Sequence, residues 1–245
     1  MKLNADFSQF AATRFDLSKY IASPSYGVNR FMLDRIGDEK ARATTIVEYK
    51  PNSRFPEHKH IGGEEFIVLK GTFRDQFGSF SNTYVRNPID SVHAPWVDDD
   101  GCTIFVKLLQ MADTGEGTKP LHVNLDDAHQ TAQSVDYGKV AELYTNSVTR
   151  EQVQMLWIDP NKSFPTPESA GGEELFILEG SLLCQNQEYD KWGWLRFPIS
   201  PVPERETLQA GPRGAQVYCK SNHLTPKALS MEKVQIADDE TYTIN

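Results

Sequence analysis

The stretch Pro51–Gly71, PNSRFPEHKHIGGEEFIVLKG, decides how the rest of the chain is read. It gathers His58, His60 and Glu64 around Gly62-Gly63, runs into the apolar segment FIVL and ends on Gly71. A second stretch, Pro160–Gly180, reads PNKSFPTPESAGGEELFILEG and is identical at 10 of 21 positions. The glycines and the paired glutamates recur, whereas the histidines do not.

The likeness extends outward from both stretches in the same order. ATTIVEYKPNSRFP corresponds to QVQMLWIDPNKSFP, VRNPIDSVH to LRFPISPVP, and GCTIFVK to GAQVYCK. This is the pattern of an internal duplication whose period is a whole domain. The polar, glycine-rich segment DTGEGTK at 113–119 reads as a linker, which divides the chain into 1–118 and 119–245. Within each half the apolar runs are short, rich in β-branched and aromatic residues, and punctuated by Gly, Pro or Asp. VNRFML and ATTIVEY, separated by GDEK at 37–40, are typical. Such spacing predicts an all-β sandwich or barrel, used twice in tandem, rather than alternating helices and strands. A short helix or irregular connection is expected in NLDDAHQTAQSVDYGK.

The chain has 245 residues, a net charge of −9 and a pI near 5.2. An acidic balance argues against a nucleic-acid or anionic-membrane surface, because both require clustered Lys and Arg. No apolar run reaches the length of a membrane span, and MKLNADFSQF lacks the apolar core of a secretory signal. Cys102, Cys184 and Cys219 are too scattered for a disulfide framework or a Cys-x-x-Cys metal knuckle. They read as reduced thiols in a cytoplasmic protein.

His58 and His60 are two apart, so on a strand both rings project to one face. The Gly62-Gly63 turn can return the chain so that Glu64 meets the same pocket. His93 follows Pro88 and can reach in from a neighbouring strand. Three imidazoles and one carboxylate suit Zn²⁺, Fe²⁺, Mn²⁺ or Ni²⁺. By spacing alone, the same residues fit solvated loop histidines and a charged strand edge equally well.

These residues resemble the two cupin motifs. His58-Lys59-His60, Glu64 and Gly71 match the first, and Pro88-Ile89-Asp90-Ser91-Val92-His93 matches the second, with Asp90 where glycine is usual. FPEHKHIGGEEFIVLKGTFRD, YVRNPIDSVHAPW and GCTIFVK are similar to the ChrR-type cupin, the C-terminal domain of an anti-sigma factor. The resemblance implies a double-stranded β-helix (cupin jelly roll) with zinc held by His58, His60, Glu64 and His93. It implies a regulatory or sensing role. It also leaves open an iron-dependent dioxygenase or isomerase acting on a small oxo-substrate, as in other cupins of the group.

In the second copy Pro167, Ser169 and Pro203 stand where His58, His60 and His93 stand in the first, and only Glu173 remains. A single carboxylate does not hold a transition metal, so the second half is expected to serve packing, dimer-like pairing or ligand shaping. Three partners are compatible with this reading: a small molecule in the first barrel, a second copy of the chain, and, by resemblance, a sigma factor. The helical module with which anti-sigma factors grip sigma has no match here. His122, His129 and His223 read as surface or linker residues.

Overall fold

A computed structural model describes residues 1–165, 170–199 and 207–224. The expected counterparts Pro167, Ser169 and Pro203, and the tail beyond Thr225, lie outside the described residues. The chain forms two compact units. One contains Met1–Ala5 and Ser18–Asn124, and the other contains Asp6–Leu17 and Leu125–Thr225.

The first unit is built on an antiparallel sheet. Its order is Lys2–Leu3, Val28–Gly37, Ala41–Tyr49, Cys102–Leu108, Glu64–Gly71, Thr83–Asn87 and Leu121–Asn124, with Ile21–Ala22 added beside Val28–Gly37. Two short ribbons complete it: His58–His60 paired with Ser91–His93, and Phe73–Asp75 paired with Gly78–Phe80. The second unit has the order Gln133–Val135, Gly138–Thr145, Gln152–Ile158, Thr207–Ser221, Glu173–Cys184, Trp194–Phe197 and Ala11–Thr13. Its five central strands follow one another as their counterparts do in the first unit. Two segments cross a boundary drawn at 118/119. Leu121–Asn124 pairs with Thr83–Asn87 of the first unit, and Ala11–Thr13 pairs with Trp194–Phe197 of the second.

Side-chain alternation explains the cores. Phe66 and Val68 on one strand face inward with Ile104 and Val106 on the next, around Phe73, Phe80 and Val85. Leu175, Ile177, Val217 and Cys219 do the same in the second unit. The central strands are buried on both faces, and their polar residues are partnered accordingly. Arg86 is ion-paired to Glu65. Lys107 Nζ donates to the Thr44 hydroxyl at 3.0 Å, and Lys220 pairs with Glu151 at 3.0 Å.

Gly71 and Gly180 show why a glycine ends each long apolar run. Their φ angles are +71° and +77°, and an added Cβ would lie 2.1 Å and 2.0 Å from the carbonyl oxygens of Gly101 and Gly214. No other residue fits there without moving backbone. The expected short helix is Leu125–Thr131. Segment 113–119 contains no strand or helix. All three cysteines are buried and unpaired with one another. Among the described residues no helix is long and apolar enough to cross a membrane.

Candidate metal centre

His58–His60 is a three-residue strand whose ends face inward and whose middle residue, Lys59, faces out, as the period of two requires. Its partner strand runs antiparallel with His93 opposite His58 and Ser91 opposite His60. That register brings the His93 ring to the same side as the other two. The three ring centroids form a triangle with sides of 4.8 Å. One ligand nitrogen from each ring lies within 4.8 Å of the others.

Glu64 opens the next strand after the Gly62-Gly63 turn. Its Oε2 is 3.5 Å from His60 Nε2 and 3.6 Å from His93 Nε2. All four sequence-predicted residues are therefore brought together. His60, Glu64 and His93 are buried, and His58 is half-buried.

The ligand side chains are held in place by hydrogen bonds. His58 Nδ1 donates to the Pro56 carbonyl at 3.0 Å. His93 Nδ1 donates to Asp75 Oδ2 at 3.2 Å. Asn87 Nδ2 donates to Glu64 Oε2 at 3.0 Å. Gln76 grips the backbone on either side of His93, donating to Val92 O at 2.9 Å and accepting from Ala94 N at 3.1 Å. Asp90, where glycine is usual in the resembling motif, has a φ of +66°. Asp enters this left-handed region more readily than most residues, which explains how the turn survives the change. Its carboxylate also pairs with Lys59 at 2.7 Å.

The electrostatics are those of a donor cluster. Burial pulls the His60 pKa down, and its neighbouring rings add to that against the pull of Glu64, so the ring favours its neutral form. Burial alone would raise the Glu64 carboxyl. The His60 and His93 rings, the Asn87 amide and His58 overcome it and hold the pKa below its ordinary value. Burial also lowers His93, but the Asp75 hydrogen bond and the charges of Glu64 and Asp75 outweigh it, and the net shift is upward.

The spacing of the His60, His93 and Glu64 donor atoms suits a divalent transition metal. Two nitrogens bound at right angles, about 2.1 Å from one ion, would be about 3.0 Å apart. His60 Nε2 and His93 Nε2 are 2.9 Å apart. The longer spacings to Glu64 Oε2 correspond to a wider angle at the same centre.

The second unit differs at the corresponding place. Glu173 is buried and accepts from the Cys219 thiol at 3.5 Å. Burial, then the charge and hydrogen bond of Glu173, push the Cys219 pKa well up, so the thiol stays protonated. Glu174 takes the Trp194 indole N–H at 2.9 Å and lies 3.3 Å from His223 Nε2. His223 was expected at the surface. It is 3% exposed, because the strand ends at Ser221, opposite Glu173, and two residues later the His223 ring meets the adjacent Glu174. His122 and His129 are exposed, as expected, each against an aromatic ring, Phe80 and Trp157. Sequence reasoning did not single out Asp75, Gln76 or Asn87. The signal was available in the likeness of the two halves, where Asp75 aligns with Cys184 and Asn87 with Phe197, polar in one half and apolar in the other.

The fold is the cupin jelly roll. The chain is similar to the putative glyoxylate-induced protein from Pseudomonas aeruginosa at 14% identity, over 86% of this chain and 87% of that one, with a TM-score of 0.63. It is similar to a putative dioxygenase from Nostoc punctiforme at 13% identity, over 93% and 85% of the two chains, with a TM-score of 0.59. It is also similar to the bacterial pirin YhhW from Escherichia coli, solved in complex with nickel(II), at 8% identity, over 87% and 98%, with a TM-score of 0.60. At these identities the likeness is one of fold. No curated protein matches the chain. Residues 8–112, which hold all four converging side chains, match the family model of the ChrR cupin-like domain.

Proposed function

We propose that the first unit binds one divalent transition metal through His58, His60, Glu64 and His93, and that the second unit is its duplicated, metal-free twin. A single observation carries the reading: one nitrogen from each of three imidazoles lies within 4.8 Å of the others, and a Glu64 oxygen lies 3.5 and 3.6 Å from two of them. Asp75 and Pro56 hold the outward nitrogens of His93 and His58, which leaves their Nε2 atoms to the ion, and Asn87 orients the Glu64 oxygen that faces them. The twin reading is supported by the shared order of the five central strands and by the recurring pair Glu64-Glu65 and Glu173-Glu174.

On the resemblance to the anti-sigma cupin, the metal is zinc and the role is regulatory, in a cytoplasmic protein. A small-molecule signal in the first barrel, a second copy of the chain and a sigma factor are the partners to test. An Fe²⁺-dependent dioxygenase or isomerase is the second reading. The donor set favours it, since four protein ligands leave two positions of an octahedron for substrate and oxygen. The similar fold of a protein described as a putative dioxygenase also favours it. When bound, such an ion would polarise an oxo-substrate as a Lewis acid.

Elemental analysis of protein purified without chelator separates the two. Near-stoichiometric zinc without oxygen consumption supports the regulatory reading. Iron, together with oxygen uptake in a screen of small oxo-compounds, supports the enzyme. Absence of bound metal and failure to take any up on titration would overturn both.

A further inference from the structure

We infer that Asp75 and Asn87 are positioning residues for the metal centre, Asp75 acting through His93 and Asn87 through Glu64. The inference rests on the metal reading above and adds two residues to it.

Asp75 and Asn87 are each 3% exposed, lie on separate strands, and each hydrogen-bonds a different ligand. The hydrogen bond from His93 Nδ1 to Asp75 fixes the tautomer whose free lone pair is on Nε2, and the carboxylate makes that nitrogen a stronger donor. Asp75 is itself fixed, since its Oδ1 accepts the Phe77 amide at 2.8 Å. The adjacent Gln76 clamps the backbone on both sides of His93. The hairpin Phe73–Phe80 thus grips this ligand by ring and by main chain. Across the sheet, Asn87 pairs in register with Glu64 and donates to the carboxylate oxygen nearest His60 and His93.

The second unit supplies an internal control. Asp75 pairs with Gly78 at its hairpin turn, and the residue in that place is Cys184, paired with Gln187. Asn87 pairs with Glu64, and the residue opposite Glu173 is Phe197. The second unit forms the same hairpin and the same strand pair with a buried thiol and an aromatic ring at these places. The fold therefore does not need the carboxylate or the amide. The unit without the three histidines is also the unit without both supports, as expected if Asp75 and Asn87 serve the ligands rather than the sheet.

The test uses the full chain and four proteins: wild type, Asp75→Ala, Asp75→Asn and Asn87→Ala. Each is titrated with Zn²⁺ against a chromophoric chelator and separately with Co²⁺, whose visible absorption reports ligand geometry. Thermal unfolding of the metal-free forms is measured alongside. The alanine variants should bind zinc about 10- to 100-fold more weakly than wild type. Asp75→Asn should retain part of the affinity, because its amide oxygen can still accept from His93 Nδ1. The Co²⁺ bands of Asp75→Ala should shift. Wild-type affinity and an unchanged Co²⁺ spectrum in the variants would overturn the inference, even if their metal-free stability falls. Failure of wild type to take up either ion would instead overturn the metal reading on which it rests.

Discussion

The two units share an order of five central strands, a glutamate pair opening the longest apolar run and a left-handed glycine ending it. They diverge in what faces the space behind that first glutamate. In one unit it meets the imidazoles of His60 and His93 and an amide. In the other it meets a thiol held in its protonated form, with Phe197 on the neighbouring strand. The same order of strands thus forms with either lining, which separates the residues that build the fold from those that build the site. The glycines, the alternating apolar residues and the partnered buried charges belong to the first class. The histidines, Asp75 and Asn87 belong to the second.

The strongest challenge to that separation is His60→Ala. Removing one of four ligands should weaken metal binding by at least about 100-fold, or about 2.7 kcal/mol, with circular dichroism of the metal-free protein unchanged. Loss of the folded signal would mean that the cluster is structural.

Glycine substitutions should strike both units alike. Gly71→Ala and Gly180→Ala each force a Cβ against a carbonyl oxygen at positive φ. Each should cost about 2–3 kcal/mol in denaturant unfolding. A large cost in one unit and none in the other would break the structural parallel.

Acidity should separate metal-loaded from metal-free protein. The His93 pKa is raised in the folded metal-free chain. Its protonated form therefore contributes stability that is complete below the unfolded value and is lost as pH rises through the folded one. Metal binding needs the neutral ring, so affinity should move the other way and fall as pH drops through that range. The slope approaches about tenfold per pH unit for each proton displaced. Chelator-competition titrations between pH 5 and 8 would check the sign, and a flat profile would remove His93 from the ligand set.

The smallest effect is expected at Asp90. Asp90→Gly relieves a left-handed φ but gives up an exposed ion pair with Lys59, and should change stability by less than about 1 kcal/mol. Asp90→Val should cost about 1–2 kcal/mol. Equal stability of the two variants would show that the turn does not constrain this residue.

Much of this contrast was legible in the sequence, because it rests on local rules. His58 and His60 share a face through strand periodicity, and Gly71 and Gly180 mark the close approach of two backbones. The short runs punctuated by Gly, Pro and Asp gave the all-β class. Long-range pairing was not legible. The placement of Ala11–Thr13 beside Trp194–Phe197 depends on contacts that no local pattern encodes. His223 looked like a surface residue because its partner, Glu174, lies far away along the chain. Asp75 and Asn87 lie outside the recognisable motifs, and only the register of their strands brings them within hydrogen-bond reach of the ligands.

The most direct test is crystallographic. Crystals of metal-loaded protein, measured at the absorption edge of the bound element, should give one anomalous peak per chain. That peak should lie about 2.0–2.2 Å from the Nε2 atoms of His58, His60 and His93 and from a Glu64 oxygen. A peak beside Glu173 and Cys219, or no peak in crystals grown with excess metal, would contradict the account.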